Sequence, residues 1–540
     1  MNQIAKFIFK ILNILFLFNL QVFASTYDVK TYGAKGDGKI LDTQAINKAI
    51  DAASASGGGT VYFPSGIYLS VSIHLKSNIA IYIDQGAVIL AANPKQGNKF
   101  DSIEENKWDM YQDFGHTYWH NSLIWGENLE NISILGPGLI DGSTLLAYPN
   151  QSRTAEEQKK LNGKAPAGKI KGPFGYPDAG DAIDPGYGNK AIALKLCKNV
   201  ILRDISILRG GHFAILATGV DNFTIDNLKI DTNRDGIDID CCKNVHVSNC
   251  TVNSPFDDGI CLKASFGLGF AKATENVMIT NCFVSGYDVG TVLDGSFKRE
   301  YNNFGYGSPT GRIKLGTESN GDFKNITISN CVFENCRGLA LETVDGSNLE
   351  DITITNITMK DIGNSPIFLR LGKRMRGPNN VPVGDLSRII ISNVVVYNAV
   401  QKHSVMIIGL PDKDITDISL ENIKIYYQGG GTKEQSALNP PEEETDYPEP
   451  DRFGEMPAYG FFIRHVNGIN MNNIEVKFMK KDMRAPFILN DVKNADFNFI
   501  NAFHAQGIPT FIMKNVSNIN VFKCLTTNYI FIKKAVNKTL

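Results

Sequence analysis

Charged residues are scarce in this 540-residue chain, and the two signs nearly balance. Asp, Glu, Lys and Arg make up 20% of the sequence, and the formal net charge is −2. A chain without a basic excess gives no reason to expect nucleic acid or an anionic membrane as a partner. Fifty glycines accompany the low charge content, and this composition suits a turn-rich β protein.

Long hydrophobic runs are absent from the sequence after its first residues. Lys6 and Lys10 flank the start of an apolar run that ends at Ala24. A positive start, an apolar middle and a small final residue are typical of a secretory signal peptide. We therefore predict a signal peptide over residues 1–24 and a protein that is secreted or periplasmic. A membrane anchor is the alternative, and no later run is long enough to span a bilayer.

The cysteines lack the spacing of a zinc site. There are nine, and no closely spaced pair is backed by a second pair. Cys250, Cys282 and Cys331 each follow Ser-Asn or Thr-Asn, in VSNC, ITNC and ISNC. This fixed register predicts buried thiols at one repeated interior position, with disulfides as the alternative.

A short repeat dominates the middle of the chain. Its copies are KNVILRDISI at 198, DNFTIDNLKI at 221, KNVHVSNCTV at 243, ENVMITNCFV at 275, KNITISNCVF at 324 and LEDITITNITM at 349. Apolar and polar residues alternate with period two, which predicts strands. A unit this short must stack on its neighbours to bury a core. The sequence therefore predicts an all-β, single-stranded right-handed parallel β-helix with coils roughly 4.8 Å apart.

Other segments complete the predicted domain, which covers residues 25–540. The spacing of Ile46, Ala49, Ile50 and Ala53 predicts a helix that caps the N-terminal end. Two long polar segments, at about 144–190 and 429–460, predict loop insertions that form groove walls. An asparagine recurs at one turn position, which predicts a ladder of side-chain amides. Its members are Asn249, Asn281, Asn330, Asn356, Asn393 and Asn422.

Three acids fall at matching points of the repeat. In the alignment of DGIDID at 235 with DDGICLKAS at 257, Asp235 and Asp258 occupy equivalent positions, with Asp257 beside them. Carboxylates this close cannot all ionise freely, so at least one pKa should be raised. Separated pKa values are what a general acid and a general base require. Turn acids that only bond local backbone, and a calcium site, are the alternatives.

The same alignment predicts which side chains accompany the acids. It is extended by GRIKLGT at 311 and GLALETVDG at 338. The residues predicted to point away from the core on one sheet are Asp238, Asp240, Cys261, Lys263, Arg312, Lys314, Ala340 and Glu342. Charged residues in this set are candidates to contact a substrate or to pair with one another.

The stretch from Asn233 to Asp258 resembles glycoside hydrolase family 28, the polygalacturonase and rhamnogalacturonan-hydrolase group. Members carry Asn-x-Asp followed about twenty residues later by Asp-Asp. KLGTESNGDFKNITISNC, ALETVDGSNLEDITITNITM and YPEPDRFGEMPAYGF resemble a bacterial rhamnogalacturonidase-like branch. The resemblance covers nearly the whole mature chain. It implies a pectin-lyase-like solenoid that hydrolyses α-glycosidic bonds of pectic polysaccharide with inversion and without a metal or other cofactor.

Residue roles follow from the resemblance. It implies that Asp257 protonates the leaving oxygen, that Asp235 and Asp258 activate water, and that Asn233 belongs to the substrate site. Spacing alone does not predict inversion, because coils about 4.8 Å apart are nearer the separation typical of retention.

The chain departs from the family pattern at two places. The family's endo-acting members have Gly-His-Gly where this chain has Thr310-Gly311-Arg312, so that histidine is absent. They also have Arg-Ile-Lys where this chain has Ala340-Leu341-Glu342. A glutamate at the position of a carboxylate-binding lysine argues against unmodified polygalacturonan.

Neighbouring residues could supply the missing cationic contact with the substrate. Lys263, Arg312 and Lys314 are the candidates, with salt bridges to Asp240 or Glu342 as the alternative. Further substrate-site candidates are His212, Arg370 and Tyr459. His212 and Tyr459 could equally be core residues.

Three functions are compatible with the sequence. The leading hypothesis is an exported, monomeric pectic glycosidase, with exo action favoured by the long loops. A β-helix polysaccharide lyase is the second hypothesis, and its chemistry needs calcium and an arginine or lysine base. A non-catalytic glycan-binding adhesin is the third.

Overall fold

A computed structural model describes residues 25–112, 115–147, 185–300, 308–524 and 527–540. Its strands stack into a parallel solenoid, because the backbone of each coil pairs with the coils before and after it. The predicted right-handed parallel β-helix is confirmed. The predicted signal peptide and most of the insertion at 144–190 lie outside the described residues.

Three columns of paired strands form the faces of the solenoid, here called sheets A, B and C. Sheet A contains β5 (Ile73–His74), β8 (Ser122–Glu127), β11 (Lys190–Lys195), β14 (Phe213–Thr218), β17 (Asp235–Asp240), β20 (Ile260–Ala264), β23 (Ile313–Ser319), β25 (Leu339–Thr343), β27 (Ile367–Leu371) and β29 (Val405–Ile408). Sheet B contains β1 (Thr26–Asp28), β3 (Gly59–Phe63), β6 (Ile79–Ile83), β9 (Glu130–Leu135), β12 (Lys198–Arg203), β15 (Asp221–Asp226), β18 (Lys243–Ser248) and β21 (Thr274–Thr280). Sheet C contains β2 (Asp37–Leu41), β4 (Gly66–Ser70), β7 (Ala87–Ala91), β10 (Leu139–Asp141), β13 (Ser206–Leu208), β16 (Lys229–Asp231), β19 (Thr251–Asn253) and β22 (Phe283–Ser285).

Later strands continue from one sheet into the next. Those that run through sheets B and C are β24 (Phe323–Glu334), β26 (Leu349–Lys360), β28 (Leu386–Ala399) and β30 (Ile415–Gly429). Strands β31 (Ala458–Lys480), β32 (Ala485–Ala502) and β33 (Phe511–Cys524) also contribute to sheet A. The last strand, β34 (Thr527–Thr539), pairs antiparallel with β33 and covers the C-terminal end.

The N-terminal end is covered by helix α1 (Thr43–Ala55), as predicted. The four apolar residues predicted for its inner face are completely buried. The carboxylate of Asp42 does not cap the helix; it accepts hydrogen bonds from the backbone N–H groups of Lys35 and Gly36, at 2.6 and 3.0 Å. Short 3₁₀ helices lie at Val29–Tyr32, Pro94–Gln96, Asp109–Tyr111, Gln435–Ala437 and Pro450–Phe453. Among the described helices, none has the length and apolar character needed to cross a bilayer.

Stacked identical side chains fill the interior and the turns. Cys250, Cys282 and Cys331 form one buried column of thiols, as predicted, and the other six cysteines are also buried free thiols. The predicted asparagine ladder is also present: Asn356 donates to Asn330 at 3.0 Å and accepts from Asn393 at 3.2 Å. The sequence analysis did not name a second ladder, which runs through Asn78, Asn131, Asn199, Asn222, Asn244, Asn276 and Asn325.

The ladder predicts a specific cost for removing Asn356. Its φ of +57° lies in the left-handed region, which asparagine tolerates better than alanine. Asn356→Ala should lower the free energy of unfolding by about 1–3 kcal/mol through lost hydrogen bonds and backbone strain. Asn356→Gly, which removes the strain, should lose less. Denaturant titration of both variants checks this; equal stability of Asn356→Ala and the parent protein would contradict the ladder's role.

Candidate active site

Backbone pairing between β17 and β20 brings the three predicted acids together. Asp238 pairs with Cys261, and the N–H of Gly236 donates to the carbonyl of Asp258 at 3.0 Å. Asp258 therefore lies one coil beyond Asp235, and this predicted register is confirmed. Asp257 precedes it in the turn that enters β20, and its carboxylate accepts a 3.0 Å hydrogen bond from the backbone N–H of Asp258.

His212 joins Asp235 and Asp257 from the coil below. One possible metal-ligand atom of each residue, a ring nitrogen of His212 or a carboxylate oxygen of the acids, lies within 4.8 Å of the other two. Burial and the nearby Arg234 guanidinium hold the pKa of His212 well below its ordinary value, so the ring is neutral. In the neutral ring Nδ1 donates to the carbonyl oxygen of Ala147, at 3.0 Å. His212, predicted to lie near the sugar site, is therefore beside the acids.

Two described clusters have donor atoms of the kind that divalent cations bind. One is the His212, Asp235 and Asp257 group. The other comprises Asp414, His465 and Asp491, which lie far along the solenoid. In that cluster Lys493 Nζ lies 3.0 Å from Asp414 and 3.6 Å from Asp491, so a lysine already occupies the cation position.

Asp235 is the acid that holds a proton most readily. Burial raises its pKa well above the ordinary value, and the charges of Asp238 and Asp257 raise it further. Lys263 opposes this shift, with Nζ 3.4 Å from Asp235 and 3.1 Å from Asp238. The same ammonium group lies 3.7 Å from Glu318. Glu318 has a second cation, Arg376 Nη2 at 2.8 Å, whereas Asp235 and Asp238 share Lys263.

Asp258 has the opposite electrostatic environment. Burial alone would raise its pKa, but Lys314 and Arg312 outweigh burial and hold the pKa at about 2. Arg312 Nε lies 2.8 Å from Oδ1, and Lys314 Nζ lies 3.3 Å from Oδ2. These two cations therefore favour the carboxylate form of Asp258. The predicted separation of pKa values within the acid group is confirmed in direction.

Both cations beside Asp258 have further partners. The terminal nitrogens of Arg312 donate to the carboxylate of Glu449, which also accepts from Arg337 Nη1 at 3.0 Å. Lys314 Nζ lies 3.6 Å from Glu342, whose pKa burial raises to about 7. Arg312 and Lys314 therefore form salt bridges, which was the predicted alternative to binding the substrate. Glu449 is a partner in place of Asp240. Asp240 instead accepts hydrogen bonds from Ser265.

Asp257 is the accessible member of the acid group. Its side chain is 25% exposed, whereas those of Asp235 and Asp258 are each 4% exposed. Arg234 pairs with its Oδ2. Asn233 lies next to Arg234 in the turn that enters β17 and is partly exposed. Its backbone carbonyl accepts a 3.1 Å hydrogen bond from the N–H of Phe256. A substrate can therefore reach Asp257 before it reaches the other two acids.

Two predicted substrate contacts are wrong. Tyr459 is completely buried in the main core, and its hydroxyl donates to the backbone carbonyls of Val476 and Phe503. Its place at the start of β31 directs the ring inward. Arg370 is 1% exposed and donates to the carbonyls of Gly409, Glu442 and Glu443. It anchors the insertion at 429–460 and is not available to bind a sugar.

Two segments cover the outer face of sheet A on either side of the acids. Residues 98–121 (without 113–114) cross it on the N-terminal side, where Trp119 packs on Ala193, Phe213 and Leu216. His116 Nε2 in this segment lies 3.1 Å from Asp238. The insertion at 429–460 covers the C-terminal side. Its apolar residues Phe453 and Met456 pack with Ala340, Phe368, Met406, Ile408, Ala458, Phe462 and Ile488.

Several residues of this site have no signal in the sequence pattern. Glu449 and Tyr447 contact Arg312 and Lys314 from a loop, Arg337 contacts Glu449, and Glu449 lies 137 residues from Arg312. Glu318 and His116 also lie outside the acid motif in the sequence. Asp238 was placed in the outward set of β17 but was not named as a site residue.

Opposite electrostatics at Asp235 and Asp258 predict opposite effects of the same substitution. Asp235→Asn should stabilise the fold, and more so as the pH rises above the pKa that the carboxyl has in the unfolded chain. Above that pH the unfolded parent releases this proton, whereas the folded parent must either keep it or bury a charge, and both cost stability. Asp258→Asn should destabilise it above that pH, because Arg312 and Lys314 lose their partner. Melting temperatures across acidic to alkaline pH check both signs; shifts of the same sign would contradict the assigned protonation states.

Comparison with known proteins finds matching family models and relatives over much of the chain. Residues 26–175 match the family model described as "Rhamnogalacturonase A/epimerase, pectate lyase-like", and residues 186–304 match the "Right handed beta helix region" model. A "Probable polygalacturonase" of Vitis vinifera is 22% identical over 423 residues, which is 69% of this chain and 74% of that protein. An "Exo-poly-alpha-D-galacturonosidase" of Dickeya chrysanthemi is 24% identical over 64% of this chain and 56% of that protein.

Solved structures show the same fold. An exopolygalacturonase from Thermotoga maritima aligns over 96% of both chains, with a TM-score of 0.56 and 17% identity. A family 28 exopolygalacturonase from Yersinia enterocolitica aligns over 88% of this chain and 78% of its own, with a TM-score of 0.61 and 17% identity. The chain is thus similar in sequence to polygalacturonases and shares the β-helix fold of exopolygalacturonases, which supports a polygalacturonase-like assignment.

Proposed function

We propose that the protein is an exo-acting glycoside hydrolase that removes terminal units from galacturonate- and rhamnose-containing pectic chains of the rhamnogalacturonan type. The observation that carries this proposal is the acid group itself. Asp235, whose pKa is raised, and Asp258, whose pKa is about 2, lie on consecutive coils beside the accessible Asp257. Within the acid group, Asp235 holds a proton and Asp258 lacks one.

The proposed reaction moves one proton out of this group and takes one back. Asp257 is exposed and protonates the leaving oxygen of the glycosidic bond. Its proton is shared with Asp235, which becomes a carboxylate as the bond breaks. Asp235 and Asp258 then accept a proton from the water that attacks the anomeric carbon, so the group returns to its starting charge.

The burial of Asp235 and Asp258 favours attack by water over attack by a carboxylate. Both oxygens of Asp258 face cations, and its side chain is 4% exposed. A buried, ion-paired carboxylate is poorly placed to bond to the anomeric carbon of a sugar ring, whereas a water molecule is small enough to enter. We therefore propose inversion, although Asp235 and Asp257 have oxygens closer than the roughly 6.5–9.5 Å typical of inverting pairs.

Two features support an exo mode and a rhamnogalacturonan-type substrate. The segments at 98–121 and 429–460 flank the acids along the solenoid axis, and this favours a pocket over an open groove. Glu342 and the ion-paired cations Lys263, Arg312 and Lys314 argue against a site built for an unmodified polygalacturonate chain. The Dickeya, Thermotoga and Yersinia relatives are named for exo action on galacturonate polymers.

We also propose that the protein acts as an exported monomer, secreted or periplasmic. The charge pattern of residues 1–24 supports export. The mass of the mature protein from its native host tests cleavage after Ala24.

Substitution of the proposed acid should abolish turnover with the fold intact. Asp257→Asn should lower kcat by about 10²–10⁴-fold, because the leaving oxygen loses its proton donor. Its melting temperature should change little, because the side chain is partly exposed. The matched control is Asp412→Asn, whose side chain is 68% exposed and remote from the acids. Initial rates on pectic oligosaccharides check this; parent-like rates in Asp257→Asn would refute its role.

A digest panel separates the proposed activity from its alternatives. Defined rhamnogalacturonan, homogalacturonan and decorated pectic oligosaccharides are treated with the enzyme, and products are read by mass and by proton NMR. Release of single terminal units with inverted configuration is expected, chiefly from rhamnogalacturonan, and activity should survive chelation. Ultraviolet-absorbing unsaturated products would indicate a lyase. Binding without cleavage of any substrate would indicate an adhesin.

A further inference from the structure

Arg312 bridges two carboxylates that come from distant parts of the chain. Its Nε lies 2.8 Å from Asp258 Oδ1, while Nη1 and Nη2 face the oxygens of Glu449. The Arg312 side chain is 2% exposed, so neither contact is made through bulk water. The planar guanidinium fixes both contacts at once: the orientation that satisfies Glu449 also determines where Nε points.

Glu449 is itself held in place by a rigidly anchored loop. Arg464 donates to the carbonyls of Pro440 and Pro441, at 2.8 and 2.6 Å, and Arg370 holds the next two carbonyls. Arg484 donates to the carbonyl of Met456 at 3.0 Å. The segment that carries Glu449 is therefore tied to sheet A before and after it.

We propose that Glu449 is a positioning residue for the hydrolysis: it orients Arg312 so that Nε pairs with Asp258, and this keeps Asp258 available to accept a proton from the attacking water. The inference rests on the proposed function for its kinetic consequence. Without Glu449, Nη1 and Nη2 of Arg312 would lose their carboxylate partner, the guanidinium could turn from the orientation in which Nε meets Asp258, and Asp258 would then lose one of its two cationic neighbours. Glu449 does not itself reach the reacting atoms in this scheme.

The test compares Glu449→Gln with Glu449→Asp and with Glu455→Gln. The glutamine removes the charge with little change in size, the aspartate retains it, and Glu455 is an exposed residue of the same insertion that bonds Gln435. Glu449→Gln should lower kcat about 10–100-fold, the usual cost of losing the partner that orients a functional side chain, with KM within about twofold. Glu449→Asp should recover part of the rate, and Glu455→Gln should match the parent.

The pH profile and a double-mutant cycle exclude a purely structural role. If Arg312 leaves Asp258, the carboxylate becomes easier to protonate, and the acidic limb of kcat should move to higher pH in Glu449→Gln. In an Asp258→Asn background, Glu449→Gln should cost no further activity, because the group it acts through is gone. The same fold loss in both backgrounds, or an unchanged acidic limb, would overturn the proposal. So would loss of the melting transition in Glu449→Gln, since Glu449 would then be needed for the fold.

A crystal structure of Glu449→Gln keeps this inference separate from the proposed function. Arg312 Nε should move out of hydrogen-bonding distance of Asp258 Oδ1, and retention of the 2.8 Å contact would overturn the positioning role whether or not any substrate is cleaved. If the parent protein cleaves no pectic oligosaccharide, the proposed function fails, and the Arg312 geometry still decides this inference.

Discussion

The backbone ladder between successive coils is the interaction on which the site depends. Because β17 and β20 are parallel and in register, Asp258 must lie one coil from Asp235, whatever their side chains would prefer. Two carboxyl groups are thereby held close together, and the fold keeps them there with apolar residues on the inner face and amide ladders at the turns. The strength of the solenoid lets it hold an arrangement of acids that a loop could not.

Strand register determines where the acids lie, and burial then determines which of them are protonated. Each nearly buried acid needs either a cation or a proton, because an unpaired buried charge is costly. Asp258 is paired with Arg312 and Lys314 and stays ionised, whereas Asp235 shares Lys263 with Asp238 and Glu318 and gains a proton. The insertion at 429–460 contributes the opposing charge of Glu449, so a loop outside the repeat influences an acid within it.

The sequence predicts the solenoid and the acid group because both follow from short-range periodicity. Strand alternation, the asparagine column and the spacing from Asp235 to Asp258 are visible within single coils or between neighbouring ones. Arg370 was misassigned because a residue's place in a strand does not tell whether a distant loop covers it. Tyr459 was misassigned because it was taken for a loop residue, whereas it begins β31 with its ring in the core. Glu449 was not identified for the same reason: its contact with Arg312 depends on how a long insertion folds back over sheet A.

The electrostatics of the cations also bear on the choice between hydrolysis and elimination. A lyase needs a neutral lysine or arginine to remove a proton from the sugar ring. Burial would lower the pKa of both Arg312 and Lys314. Glu449 and Asp258 outweigh burial at Arg312, and Asp258 and Glu342 outweigh it at Lys314, so both pKa values lie well above their ordinary values and both side chains stay protonated. Lys190, whose pKa burial lowers to about 7, is completely buried, and Phe213 lies between it and Asp235 in the strand register. Arg312 and Lys314 therefore keep Asp258 ionised, and neither is a neutral base of the kind that an elimination needs.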